Sequence, residues 1–79
     1  PSYGNLVKAV EEQNAEEAFR AAHTLKGICL NLGLDRLYKV SALLTEKLRG
    51  REFDGYEEAY GEVQKEYRNT IDAIRTMTE

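Results

Sequence analysis

Proline is absent from residues 2–79, and this absence constrains the fold more than any other feature of the chain. Proline interrupts helices more strongly than any other residue, and the chain is dominated by strong helix formers: Ala, Leu, Glu, Lys, Gln and Arg. Apolar residues recur at steps of three and four, which is the period of an amphipathic helix. Helix is therefore the only element that the propensities favour over long stretches.

The first half of the chain predicts two helices. The first runs from about Ser2 to Gln13. Asn14, followed three residues later by Glu17, has the form of a capping box that opens the second helix, and Gly33 is a natural left-handed C-cap for it. The apolar face of the second helix comprises Ala15, Ala18, Ala22, Leu25, Cys29 and Leu32.

The second half predicts two more helices. The third begins at Leu34 or Asp35 and ends at Gly50, and Asp54 with Glu57 forms a second capping box that opens the fourth. Short connections between amphipathic helices predict an all-α, antiparallel up-down-up-down four-helix bundle, one domain over residues 1–79. The apolar stripe of the fourth helix comprises Tyr56, Tyr60, Val63, Tyr67, Ile71, Ile74 and Met77.

Size and charge exclude several classes of function. A chain of 79 residues buries only about 60% of its unfolded surface, which disfavours an enzyme with a deep pocket. A net charge of −3 makes nucleic acid and anionic membranes poor partners, and no apolar run approaches the roughly 20 residues of a membrane span. The single cysteine favours a reducing, cytoplasmic setting. The termini, Pro1 and Glu79, fit either a domain of a longer chain or a small separate protein.

Few side chains remain for chemistry once the core and the caps are assigned. The tyrosines fit core or core-edge positions, and Cys29 fits an inert small hydrophobe better than a redox switch. Adjacent carboxylates such as Glu57 and Glu58 point in different directions and fit solvated helix starts. The sequence contains no Gly-rich phosphate loop and no metal-binding motif, so we expect no cofactor and no metal.

His23 is the only histidine and the best candidate for a reactive group. At about 100° per residue it shares one side of the second helix with Lys26, Gly27 and Leu30, opposite Leu25. A lone histidine on a helix surface most often has no role. Gly27, however, lies inside the helix at a cost of about 1 kcal/mol against alanine, and it removes the side chain that would crowd the imidazole.

Charge around His23 favours a phosphoryl acceptor. Arg20 and Lys26 bracket the ring, disfavouring the protonated imidazole and attracting an anion placed on it. A neutral ring nitrogen is the nucleophile, and the charged phosphoryl oxygens need compensation. Phe19 and Leu30 flank the site as candidate docking residues for a partner, although each fits a scattered surface apolar residue equally well.

The run around His23 carries a family resemblance that covers roughly residues 5–50 by pattern and the last helix by general character. It resembles the histidine-containing phosphotransfer (HPt) domain of multistep two-component phosphorelays. The residues that match are Ala22-His23-Thr24-Leu25-Lys26-Gly27, then Asn31-Leu32-Gly33, then Leu37, Val40 and Leu44.

The resemblance implies that His23 accepts a phosphoryl group from a receiver-domain aspartate and passes it to another receiver. Lys26 corresponds to the lysine beside the phosphohistidine and Gly27 to the clearance glycine. Thr45 stands where many members have Gln or Glu near the imidazole, so the ring would be oriented by the Thr45 hydroxyl, by water or by Glu46. The expected partner-binding residues are Phe19, Arg20, Leu30 and Thr45.

The resulting hypothesis is a monomeric phosphocarrier without a nucleotide or metal site of its own, while the receiver supplies Mg²⁺. Its expected partners are receiver domains and a hybrid histidine kinase. Two alternatives stay open. One is a helical protein-interaction bundle without phosphoryl chemistry, and the other is an HPt-like domain that a chemotaxis-type kinase phosphorylates directly.

Overall fold

Four helices account for most of residues 2–78, the part of the chain that the computed structural model describes; the termini Pro1 and Glu79 lie outside it. Each helix packs on the next one along the chain, and the short connections reverse its direction. The predicted all-α four-helix bundle is confirmed. The helices are α1 (Ser2–Glu11), α2 (Ala15–Leu32), α3 (Asp35–Lys47) and α4 (Glu57–Thr78).

The bounds of α2 follow from its caps, as predicted. The Asn14 side chain accepts a hydrogen bond of 3.2 Å from the backbone N–H of Glu17. At the other end Gly33 has a φ of 71°, and Leu34 N–H donates to the Cys29 carbonyl at 2.9 Å. This pairing closes the helix in a Schellman motif, which leaves the last carbonyls bonded.

Helices α1 and α3 end earlier than predicted. A residue with a left-handed φ follows each of them. Gln13 has a φ of 56°, and Asn14 N–H bonds the Ala9 carbonyl at 2.8 Å, so α1 ends at Glu11. Beyond Lys47 the chain tightens into three-residue turns that end at Arg51, with a φ of 58°. Gly50, the predicted end of α3, is not the left-handed residue.

The start of α4 corrects the second predicted capping box. Asp54 lies in a turn in which Tyr56 N–H donates to the Phe53 carbonyl at 3.4 Å, and Gly55 supplies the required positive φ of 70°. The Tyr56 carbonyl, not the Asp54 side chain, opens the helix by accepting from Tyr60 N–H at 2.9 Å. The Asp-Gly turn takes Asp54 away from the N-cap position.

The core is built mainly of small and branched apolar side chains contributed by all four helices. At its centre the side chains of Leu6, Leu44, Leu48 and Val63 are fully buried. The predicted apolar stripes continue past the core at two helix ends. Leu32 is 67% exposed at the end of α2, and on α4 Ile74 is 49% and Met77 84% exposed, so these residues are not core residues.

A tyrosine pair links the first helix to the last. The rings of Tyr3 and Tyr67 stack with 3.7 Å between centroids and 5° between planes. Burial raises the pKa of the Tyr3 hydroxyl, and the neighbouring Tyr67 raises it further. The stack joins α1 to α4. The backbones of these two helices do not pack directly on each other, because each helix packs on its neighbour along the chain.

We expect the Tyr3–Tyr67 stack to appear as coupling in a double-mutant cycle. Tyr3→Leu and Tyr67→Leu each keep an apolar side chain but remove the ring contact. The coupling in the free energy of unfolding should be about 0.5–1.5 kcal/mol, measured by urea denaturation. Tyr56, at the start of α4, provides the control pair with Tyr3. Equal coupling for the two pairs would contradict a specific stack.

Candidate functional site

The packing of α2 turns His23 toward solvent. The neighbouring Ala22 and Leu25 are buried in the core, whereas His23 and Thr24 are exposed. Successive helix residues are about 100° apart, so burial of the alanine and leucine face fixes the direction of the imidazole. The predicted exposure of His23 is confirmed.

Gly27 leaves open space one turn beyond His23. A Cβ atom built on Gly27 meets no atom within 4 Å outside its own helix backbone. Packing therefore does not require glycine here, since no neighbouring helix approaches it closely. A glycine that the core does not need, next to an exposed histidine, fits a surface over which a second molecule passes.

Lys26 shares this part of the surface with the carboxylate of Glu46. From the sequence, Glu46 is one of three groups that could orient the imidazole. Arg49 Nε donates to both oxygens of Glu46 at 3.1 Å, and Arg49 Nη2 also contacts Oε2. The hydrogen bonds from Arg49 lower the pKa of the Glu46 carboxyl, and the charge of Lys26 adds to this shift. Glu46 thus lies close enough to Lys26 to feel its charge, while its oxygens bond Arg49.

Arg20 does not offer a free charge to the site. Its guanidinium pairs with Glu16 at 2.8 Å and with Glu17 at 3.2 Å, both on the preceding turn of α2. These ion pairs are exposed, so they add little stability, but they neutralise the charge that was expected to bracket the imidazole. Lys26 is the only member of the expected pair that makes no ion pair among residues 2–78.

Phe19 is not the free docking residue that the sequence predicts. Its ring is half-buried, packs against the core and lies 6.3 Å from the His23 ring. The guanidinium of Arg51 lies 4.1 Å and that of Arg49 5.7 Å from the Phe19 centroid. Leu30, in contrast, is 64% exposed and stays available as an apolar contact.

Thr45 is the clearest error among the predicted site residues. It is fully buried, and its hydroxyl donates to the Ser41 carbonyl at 2.7 Å on the same helix. A side chain in this position neither contacts a partner nor orients the imidazole. The exposed neighbour, Glu46, occupies the surface instead, because one step along a helix turns a side chain by about 100°.

Arg49 and Arg51 are the residues that sequence reasoning missed. Both follow α3, and their approach to Phe19 depends on how α3 lies against α2. The available signal was the basic stretch at residues 47–51, in the connection that leads away from the third helix. Basic residues in the last turn of a helix are commonly explained by the helix dipole, so this stretch did not by itself indicate contact with the aromatic ring beside His23.

Other groups in the described chain lie apart from this surface. Cys29 is buried, and burial raises the pKa of its thiol, which disfavours the reactive thiolate. Residues 2–78 contain no cluster of three or more His, Cys, Asp or Glu side chains placed to hold a metal ion. None of the helices there is long and apolar enough to cross a membrane.

The fold and the exposed histidine thus define a helical bundle that presents an imidazole one helical turn before a lysine and a glycine. Comparison with protein families matches residues 3–77 to the Hpt domain. The chain therefore belongs to the Hpt domain family, which implies histidine phosphotransfer in two-component signalling. Hpt domains carry phosphoryl groups and interact with receiver domains and histidine kinases. Comparisons with curated proteins and with solved structures find no match.

Proposed function

We propose that His23 is the phosphoryl acceptor and donor of this Hpt domain. It takes the group from the aspartate of one receiver domain and passes it to the aspartate of another. The observation that supports this assignment is an exposed imidazole with unfilled space over Gly27 beside it. Residues 2–78 contain no second histidine that could take this role.

The transfer needs only the imidazole from this chain as nucleophile. Nε2, the ring nitrogen farther from the backbone, attacks the phosphorus of the aspartyl phosphate while Nδ1 keeps its proton. A P–N bond forms, the P–O bond to the aspartate breaks, and the carboxylate leaves with that electron pair. The product is a phosphohistidine whose cationic ring carries the dianionic phosphoryl group, so charge is conserved. Transfer to a second aspartate reverses these bonds.

Lys26 supplies the electrostatic part of the site. It lies three residues after His23, about one helical turn, so its ammonium can approach the oxygens of a phosphoryl group on the imidazole. Mg²⁺ bound by the partner receiver would neutralise the same oxygens from the other side. In this proposal the domain works as a cytoplasmic monomer and brings no nucleotide or metal of its own.

Phosphorylation by receivers is the experiment that tests the proposal. Receiver domains charged with acetyl phosphate are mixed with the protein, and label on the protein is followed before and after acid treatment. We expect acid-labile label, as for phosphohistidine. Label that appears only with an ATP-dependent kinase would indicate the chemotaxis-type alternative, and absence of label with either donor would indicate an interaction bundle.

The first prediction from the proposed function concerns the nucleophile. His23→Gln should abolish phosphoryl acceptance while leaving helicity unchanged and shifting the thermal midpoint by no more than about 2 °C, because the side chain is exposed. Circular dichroism and phosphotransfer assays measure the two properties on the same sample. Retained acid-labile label would exclude His23 as the acceptor.

A second prediction separates clearance from packing at Gly27. Gly27→Ala should stabilise the fold by about 0.5–1 kcal/mol, since its Cβ meets no neighbour, and yet slow transfer from a receiver. Gly61 is a matched control, because it is also inside a helix with open space around it. Gly61→Ala should give the same stabilisation with an unchanged transfer rate. Equal transfer rates for both variants would refute the clearance role.

A third prediction concerns Lys26. Lys26→Ala should slow phosphotransfer about tenfold, equivalent to about 1.4 kcal/mol in the barrier, and Lys26→Arg should recover part of the rate. Binding to an unphosphorylated receiver should weaken by no more than about 1 kcal/mol, measured by titration calorimetry. Lys65→Ala on α4 is the charge-matched control. A larger loss in binding than in rate would favour the interaction bundle.

A further inference from the structure

Phe19, Arg49 and Arg51 form an aromatic-basic cluster beside His23 that the chemistry at the imidazole does not use. Arg51 lies closest, with its guanidinium 4.1 Å from the Phe19 centroid, in the range of a cation–π contact. The Phe19 ring in turn lies 6.3 Å from the His23 ring. The Phe19 ring is therefore a neighbour of both the Arg51 guanidinium and the candidate phosphoryl acceptor.

The connection after α3 holds Arg51 in this place by its backbone. Arg51 adopts a left-handed φ of 58°, a backbone angle that residues other than glycine rarely take without compensating contacts. Its N–H donates to the Leu48 carbonyl at 2.9 Å, and its Nη1 donates to the Arg49 carbonyl at 2.7 Å. The turn and the side chain thus fix each other and direct the guanidinium onto Phe19.

Ion pairing distinguishes Arg51 from most other cations near His23. Arg20 is bonded to Glu16 and Glu17 on the preceding turn of α2, and Arg49, which follows α3, is bonded to Glu46 of α3. Among residues 2–78 no carboxylate pairs with Lys26 or Arg51. Lys26 and Arg51 thus make no ion pair of their own at this surface, although Glu46 lies near enough to Lys26 for the two charges to interact.

We propose that Arg51 is a specificity-determining residue for receiver docking, and that its guanidinium binds an acidic side chain at the rim of the partner's phosphorylation site. This inference rests on the proposed function. Lys26 serves the phosphoryl group, because it lies on the helical turn next to the imidazole. Arg51 lies on a different segment, after α3, where its guanidinium stacks on Phe19, and a planar guanidinium is suited to bind a carboxylate through two hydrogen bonds.

Steady-state transfer from a charged receiver to a second receiver, carried by catalytic amounts of the protein and compared with its labelling by phosphoramidate, tests this role. Phosphoramidate is a small donor that needs the imidazole but no docking surface. Arg51→Asn removes the guanidinium while keeping a residue that tolerates positive φ, and Arg51→Gly removes it with no backbone strain. Both should raise KM for the receiver about fivefold, leave kcat within about twofold, and leave phosphoramidate labelling unchanged.

Two further comparisons sharpen the result. Arg51→Lys keeps the charge but loses the planar fork, so its KM should lie between those of wild type and Arg51→Asn. Arg36→Asn, at the opposite end of α3, is the control for loss of one positive charge and should leave KM unchanged. The difference between wild type and Arg51→Asn should shrink as ionic strength rises, because the contact is exposed.

Each other outcome overturns the proposal. Unchanged KM in both Arg51→Asn and Arg51→Gly would remove Arg51 from docking while leaving His23 as the carrier. A fall in phosphoramidate labelling or in phosphohistidine lifetime would place Arg51 on the phosphoryl group instead. Wild-type protein that takes label from phosphoramidate but from no receiver would overturn the proposed function itself, and the docking role with it.

Discussion

Burial of the small apolar face of α2 is the constraint on which the rest of the molecule depends. Ala18, Ala22, Leu25 and Cys29 lie on this face and are all buried. Both α1 and α3 pack on α2, and α3 in turn carries α4, so the rotation of α2 about its axis sets the arrangement of the whole bundle. The same rotation leaves His23 facing solvent. Core packing and site exposure are thus two results of one helical periodicity.

Features within a single helix could be predicted from sequence because they depend on local geometry. The Asn14 cap, the Gly33 cap and the exposure of His23 each follow from spacing along one helix and are present in the structure. The predictions failed where two local signals competed. Asp54 could cap a helix or join Gly55 in a turn, and the turn formed because glycine accepts the positive φ without strain.

Features that depend on contact between helices could not be read from the sequence. Whether Thr45 or Glu46 reaches the surface is a matter of about 100° in the rotation of α3, and the structure buries Thr45. The stacking of Arg51 on Phe19 joins positions 32 residues apart, through a turn whose left-handed residue is not a glycine. No spacing rule connects such positions, because they meet only after α3 has packed against α2.

The pairing of cations with carboxylates near His23 suits the proposed function, in which a phosphoryl group must be passed on as readily as it is accepted. Each free cation that stabilises phosphohistidine also raises the barrier to onward transfer, unless the cation stabilises the transition state more. Carboxylates pair with Arg20 and Arg49, so in the proposed function the electrostatic stabilisation from this chain falls mainly to Lys26. In the proposed function the receiver brings the rest, with its metal ion, and removes it on dissociation. If His23 is the acceptor, as proposed, a site with modest charge of its own lets the bound partner determine when the phosphoryl group moves.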